Sequence, residues 1–358
     1  MRRDWLVMLV FGVLTVANPS SEARGADTRH GVAPARLPAA YPSIAGKPLR
    51  PFVVTLGKRW VGDAICYGPF RDGQSPGGTG PSREQVREDL RIMAKRWNLI
   101  RMYGSVGTAD TVLSVIQSDK LPIRVLLGVW VAPEERRDST GAVVEVLPQG
   151  KTGNDAEVAA ALRLARFYPK LVAGISVGNE TQVSWSWNRV PESLLIARLR
   201  QVRAGVSVPV TAADDMLFWR LPESGRVAAE TDFVLTHLHP LWAGQVLDSA
   251  LVWSRARLEE VRAAHPERAV VIGEIGWATS KLSTGEQGQL IRGRVGEAEQ
   301  QRFCDEASAW VRRERIPAFF FEAFDENWKG GNEPAEVEKH WGFYRADRTP
   351  KRVAEAAR

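Results

Sequence analysis

The stretch Val172-Ala173-Gly174-Ile175-Ser176-Val177-Gly178-Asn179-Glu180 decides the reading of the fold. It is short and almost wholly apolar, and it stops at a glycine followed by two polar side chains. A strand covered by helices on both faces reads this way, because neither face has to meet water. Three similar runs precede it, Val61–Tyr67, Leu99–Tyr103 and Ile123–Val129, beside its own Val172–Val177. Four follow, Val208–Ala212, Asp232–His237, Ala269–Ile275 and Ala318–Phe324. The segments between them carry helical spacing. Ser82 and Gln85 form a capping box, after which Val86, Leu90 and Met93 or Ala94 recur on one face. Long helices are expected over about 246–264 and 299–313, whereas Pro222 and Gly225 break the segment after the fifth strand. Eight strands alternating with helices predict an α/β fold, a single (β/α)8 TIM barrel, for which about 250 residues suffice. The competing doubly wound sheet would need a Gly-rich phosphate loop after its first strand, and residues 73–80 lack that spacing.

The chain has 358 residues, 44% hydrophobic and 25% charged, which excludes a disordered chain, a collagen-like repeat and a long coiled coil. The net charge of +6 is not gathered anywhere: Arg87, Arg91, Arg163, Arg198, Arg255 and Arg312 are spread among acidic residues. A nucleic-acid binder would concentrate its charge on one face, so no nucleic-acid partner is expected. Tryptophan is unusually common, 13 against 12 Phe and 5 Tyr. That excess over the needs of one core suggests a surface for flat ligands such as sugar rings.

Residues 1–25 read as a signal peptide, with Arg2 and Arg3, an apolar run from Leu6 to Ala17 and small residues at Ala23 and Gly25. The run is shorter than the roughly 20 residues that span a bilayer. The protein is therefore expected to be exported, periplasmic or secreted, with no stable membrane association after cleavage. Residues 26–59 form a Pro/Ala-rich arm, and 60–358 the catalytic barrel. Export permits a disulfide, but Cys66 and Cys304 read as two buried free thiols. A monomer is expected.

In a barrel of this kind chemistry sits where the strands end. Strand one ends at Tyr67, with Phe70 just beyond, and strand two carries Arg101 and Tyr103 on one face. Strand four ends in Asn179 and Glu180, and strand five in Asp214 and Asp215. Strand six brings His237, His239 and Trp242, strand seven Glu274 and Trp277, and strand eight Glu322, Asp325, Glu326, Trp328 and Lys329. Two glutamates on strands four and seven suit glycosidic-bond hydrolysis. One protonates the leaving oxygen and the other attacks the anomeric carbon, provided the two stand about 5–5.5 Å apart. Arg101 and the Tyr103 hydroxyl are expected to keep Glu274 anionic.

With these residues in place, Ile65-Cys66-Tyr67-Gly68, Gly178-Asn179-Glu180, Gly273-Glu274-Ile275-Gly276-Trp277, Phe324-Asp325-Glu326-Asn327-Trp328-Lys329 and His340-Trp341-Gly342-Phe343 resemble glycoside hydrolase family 17 in a bacterial-type form. That is the family of β-1,3-glucanases and β-glucanosyltransferases, and the matches run in order over about 61–344. The resemblance implies a (β/α)8 barrel and a retaining mechanism without cofactor or metal, acting on a β-glucan polysaccharide or oligosaccharide. It implies Glu180 as acid/base, Glu274 as nucleophile, Asn179 on the neighbouring sugar hydroxyl, and Glu326 with Lys329 as a sugar-binding pair. Tyr67, Phe70, Arg101, Tyr103, His239, Trp277 and Trp328 complete the expected substrate contacts. Trp130, Trp187, Trp219 and Trp242 are further candidates for stacking platforms.

The strand-six end, His237-Leu238-His239-Pro240-Leu241-Trp242, departs from the Tyr-Pro-Tyr run of plant members, Ala278 stands where Pro is usual, and Glu322 is an extra carboxylate. Three alternatives bear on the same residues. A glucanosyltransferase would use the same two glutamates. A metal-dependent hydrolase would use His237 and His239 with Asp214 and Asp215. A non-catalytic glycan-binding protein would not need two opposed carboxylates.

Overall fold

The computed structural model describes Ile44, residues 46–138 and residues 140–355. The expected signal peptide and residues 26–43 of the expected arm lie outside the described residues. Eight parallel strands close into a barrel in chain order. They are β1 Asp63–Cys66, β2 Leu99–Arg101, β3 Arg124–Val129, β4 Val172–Asn179, β5 Val210–Asp215, β6 Val234–Leu238, β7 Val270–Ile275 and β8 Ala318–Phe320. The (β/α)8 expectation is met strand for strand, with ends moved by a few residues. Eight short strands of branched apolar residues cannot leave an edge unpaired without cost, and closure removes every edge.

Helix α1, Arg83–Met93, starts at the Ser82 cap, and both bonds of the capping box form. It buries Val86, Leu90 and Met93, the face its periodicity marks. The chain after β5 makes only two short helices, α2 Met216–Trp219 and α3 Ser224–Ala228. The long helices α4 Leu247–Ala264 and α5 Glu297–Glu314 pack on each other, with α4 against β6 and β7 and α5 against β1.

Packing reaches back before residue 60. Phe52 stacks on Phe233 with ring centroids 4.6 Å apart. Arg50 donates to the Val208 and Arg203 carbonyls, and its N–H to Asp232 Oδ1. A two-stranded ribbon, Thr55–Leu56 with Arg59–Trp60, completes this segment. Arg50 and Phe52 meet residues at the starts of β5 and β6, opposite the strand ends. Cys66 and Cys304 are unpaired and buried. Among the described residues no helix is long and apolar enough to cross a membrane.

A buried charge cluster locks the strand-one end. The Asp89 carboxylate on α1 accepts from Arg348 Nε at 2.8 Å and Nη2 at 2.7 Å, from the Tyr67 hydroxyl at 3.1 Å and from Arg71 at 2.9 Å. Arg348→Met would leave Asp89 charged, buried and short of its main partner, and is expected to cost about 3 kcal/mol of unfolding free energy. Urea denaturation with an unchanged slope is the measurement.

Candidate active site

Glu274 stands at the penultimate position of β7, and its neighbour across the sheet is His237 of β6. The register shifts here: Thr236 pairs with Ile272, and the next residue, His237, pairs with Glu274. Gly273 is the extra residue. A Cβ there would meet Leu235 Cγ at 2.8 Å and His237 Cδ2 at 3.0 Å, so glycine permits the bulge that sets these two side chains abreast.

Four groups address the Glu274 carboxylate. Arg101 Nη1 donates to Oε1 at 2.8 Å and the Tyr103 hydroxyl at 2.9 Å, while His239 Nε2 lies 3.0 Å from Oε2 and His237 Nε2 3.5 Å from Oε1. Arg101 is held in turn: Nη1 also donates to the Gly273 carbonyl, Nη2 to Asn179 Oδ1 at 2.6 Å, and its Cζ sits 4.7 Å from the Tyr103 ring centroid. The Tyr103 backbone runs so close to β3 that a Cβ on Gly128 would lie 2.2 Å from its carbonyl carbon. Burial alone would push the Glu274 carboxyl up. The neighbouring His237 imidazole, the His239 hydrogen bond and the Arg101 charge outweigh it and hold the group well below the usual carboxylate range. Burial pulls the His239 imidazole down, but the bond and charge of Glu274 raise it above its ordinary value.

Glu180 is in a different setting. Its side chain is 27% exposed against 6% for Glu274, and its one described side-chain partner is His237 Nδ1, 3.0 Å from Oε1. Glu180 adopts φ +49°, in the left-handed region that costs a non-glycine residue about 1–2 kcal/mol. The following loop is pinned by Asp214, whose carboxylate accepts from the Gln182 and Asp215 N–H groups, both at 2.9 Å. Burial and the nearby Glu180 charge hold Asp214 well above the usual range, and burial with the same charge pushes Asp215 up to about 7. The two candidate catalytic carboxylates thus face opposite nitrogens of one imidazole, Glu180 at Nδ1 and Glu274 at Nε2.

Lys329 lies between two carboxylates, 2.7 Å from Glu322 Oε1 and 2.9 Å from Glu326 Oε2. Burial, reinforced by the Glu326 charge, holds Glu322 well above the usual range. Trp328 Nε1 donates to Glu326 Oε1 at 3.0 Å, and its ring meets Phe70 edge-on at 5.8 Å. Phe70 and Trp328 therefore form one aromatic element between the ends of β1 and β8, while Glu326 itself is buried and spent on Lys329 and Trp328. Asn179, with Oδ1 given to Arg101, keeps Nδ2 as the donor it can offer a ligand.

Two expected substrate contacts are corrected. Tyr67 is buried and points away from the barrel interior toward α1, because Cys66 takes the inward position and alternation sends the next side chain out. Trp277 is fully buried, donates to the Arg294 carbonyl and packs on Phe303 of α5. Trp219 is likewise core, as are Trp97, Trp310 and Trp341, so much of the tryptophan excess is structural. Trp187 remains 49% exposed, beside Trp130 with ring centroids 6.0 Å apart, and Trp242 donates to Glu338 at 2.9 Å.

Glu180, His237 and His239 bring one donor atom each within 4.8 Å of one another, a spacing a divalent cation could bridge. His237 is already engaged by Glu180 and Arg101, and His239 by Glu274. The set is a hydrogen-bonded cluster serving two carboxylates.

Residues 64–342 match the BtgE/BtgC glycoside hydrolase domain. A glucan 1,3-beta-glucosidase of Schizosaccharomyces pombe is 28% identical over 289 residues, 76% of this chain and 81% of that protein. An endo-laminarinase from Formosa Hel1_33_131 superposes with a TM-score of 0.70 at 21% identity, covering 82% of this chain and 86% of that one. A beta-1,3-glucanosyltransferase of Rhizomucor miehei, in complex with laminaritriose, gives 0.64 at 22% identity, covering 81% and 96%. At such identities these two structures speak for the fold. The domain match decides the family, in keeping with the family 17 resemblance of the motifs: the chain belongs to the BtgE/BtgC glycoside hydrolase family and is a glycosidase.

Proposed function

We propose that the protein is a retaining hydrolase of β-1,3-glucan or related β-glucan oligosaccharides, exported to the periplasm or beyond after loss of residues 1–25. Glu274 is the nucleophile and Glu180 the acid/base. The observation that carries the reading is the asymmetry of the two carboxylates. One is buried among donors that favour its anion, and the other is more exposed and hydrogen-bonded to one imidazole. A nucleophile must be ionised before substrate arrives, whereas an acid/base must alternate between two states. In the first step the proton of Glu180 passes to the glycosidic oxygen as Glu274 attacks C1. In the second, Glu180 takes a proton from water, which attacks C1 and frees Glu274.

A glucanosyltransferase differs only in the second acceptor, a sugar hydroxyl in place of water. Incubation of the purified protein with laminari-oligosaccharides and sizing of the products separates the two. Shorter products alone are expected. Products longer than the substrate would replace hydrolysis by transfer, and no turnover of any β-glucan would overturn the assignment.

A further inference from the structure

We propose that His237 is a positioning residue that fixes which oxygen of Glu180 carries the catalytic proton, a role that rests on the acid/base reading of Glu180. The argument begins at Arg101. Its guanidinium is permanently protonated and can only donate. Arg101 Nη1 lies 3.1 Å from His237 Nε2, and the imidazole is fully buried. A proton on Nε2 would set donor against donor at 3.1 Å, the Glu274 oxygen standing farther off at 3.5 Å, and an imidazolium would set two buried cations against each other. Nε2 therefore holds the lone pair, and Nδ1 carries the ring's one proton.

Nδ1–H faces Glu180 Oε1 at 3.0 Å, so Oε1 must accept. The acid proton then belongs to Oε2, the oxygen left for the glycosidic bond. When the first step occurs, that proton moves to the leaving oxygen, the C1–O pair goes with it, and Glu180 becomes a carboxylate. The His237 proton does not move. Its hydrogen bond changes from one to a neutral acid into one to an anion, and so strengthens as the transition state develops. The tautomer comes from across the barrel: Arg101 of β2, itself held by Asn179 and Glu274, dictates the proton on β6 that orients the acid on β4.

Two measurements test it. Long-range 1H–15N NMR of the wild-type protein at neutral pH reads the ring without turnover. The Nδ1–H tautomer is expected for His237, and an Nε2–H tautomer or an imidazolium would overturn the assignment. Kinetics then use two amides that mimic one ring nitrogen each. In His237→Asn the side-chain nitrogen falls near Nδ1 and can still donate to Glu180, and in His237→Gln it falls near Nε2 and cannot. His237→Ala is expected to lower kcat on laminari-oligosaccharides by about 10- to 100-fold with KM little changed. A dinitrophenyl glycoside, whose leaving group needs no proton, should lose far less in the glycosylation step. The Asn variant should recover about tenfold of the lost rate, and the Gln variant should not. Equal losses on both substrates, or recovery by Gln rather than Asn, would place His237 with Glu274 alone. A wild-type enzyme inert on every β-glucan would sink the glucanase reading, while the tautomer would still be read from the spectrum.

Discussion

Glu274→Gln is expected to lower kcat on laminari-oligosaccharides by about 10⁴-fold or more, the scale on which a catalytic unit fails when its nucleophile is lost. The amide keeps an oxygen for Arg101 and Tyr103 but cannot form the glycosyl ester, so no part of the double displacement survives. The same change has a signature in stability. Glu274 is the buried counter-ion of Arg101, whose side chain is 1% exposed, and removing its charge leaves that cation uncompensated at a cost of about 3 kcal/mol. Because the folded carboxyl lies below its unfolded value, its contribution is present above the ordinary carboxylate pKa of about 4.3 and is lost as pH falls toward the depressed value. The gap in Tm between wild type and Glu274→Gln should therefore be widest near neutrality and close in acid. A gap independent of pH would mean that Glu274 does not carry the charge its neighbours imply. A variant retaining more than about 10% of wild-type kcat would remove Glu274 from the chemistry altogether.

The barrel was legible because each strand is a short apolar run ending in polar residues, and closure follows from eight such runs separated by helical segments. Arg101 and Tyr103 were legible as partners of Glu274 because alternation puts them on one face and the strand ends converge. What escaped depends on phase and register. Tyr67 lies one residue past inward Cys66, and no composition signal says on which side of the sheet a strand's last residue falls. Trp277 gave the same trouble, since a tryptophan beside a catalytic glutamate looks like a sugar platform until Phe303 is seen against it. The abreast setting of His237 and Glu274 comes from one extra residue at Gly273, which a linear reading cannot see. His237 therefore stood in the sequence as half of a metal-like His-x-His pair and not as the bridge between two carboxylates. Glu322 was visible as a surplus acid, but only the fold shows that Lys329 is shared between it and Glu326. The Asp214 clamp on the loop after Glu180 is a backbone bond with no sequence pattern of its own.

Glu180→Ala should separate the acid/base from every other role by its dependence on the leaving group. On laminari-oligosaccharides, whose leaving alkoxide must be protonated, a loss of about 10²–10⁴-fold in kcat is expected. On a 2,4-dinitrophenyl β-laminaribioside the glycosylation step needs no acid and should survive. The glycosyl-enzyme then waits for a base that is missing, and a burst of dinitrophenol should precede a slow steady state. Azide, which needs no base, should restore turnover from the space the carboxylate vacates, a space already open to solvent since Glu180 is 27% exposed. It attacks a sugar that has been inverted once, so the product must be the β-azide. The corresponding Glu274→Ala variant offers azide the opposite face and a single displacement, and its product must be the α-azide. The configuration of the two azides thus assigns the two roles without reference to rate. An α-azide from Glu180→Ala would exchange them, and a loss equal on both substrates with no rescue would show that Glu180 supports the site's structure and donates no proton.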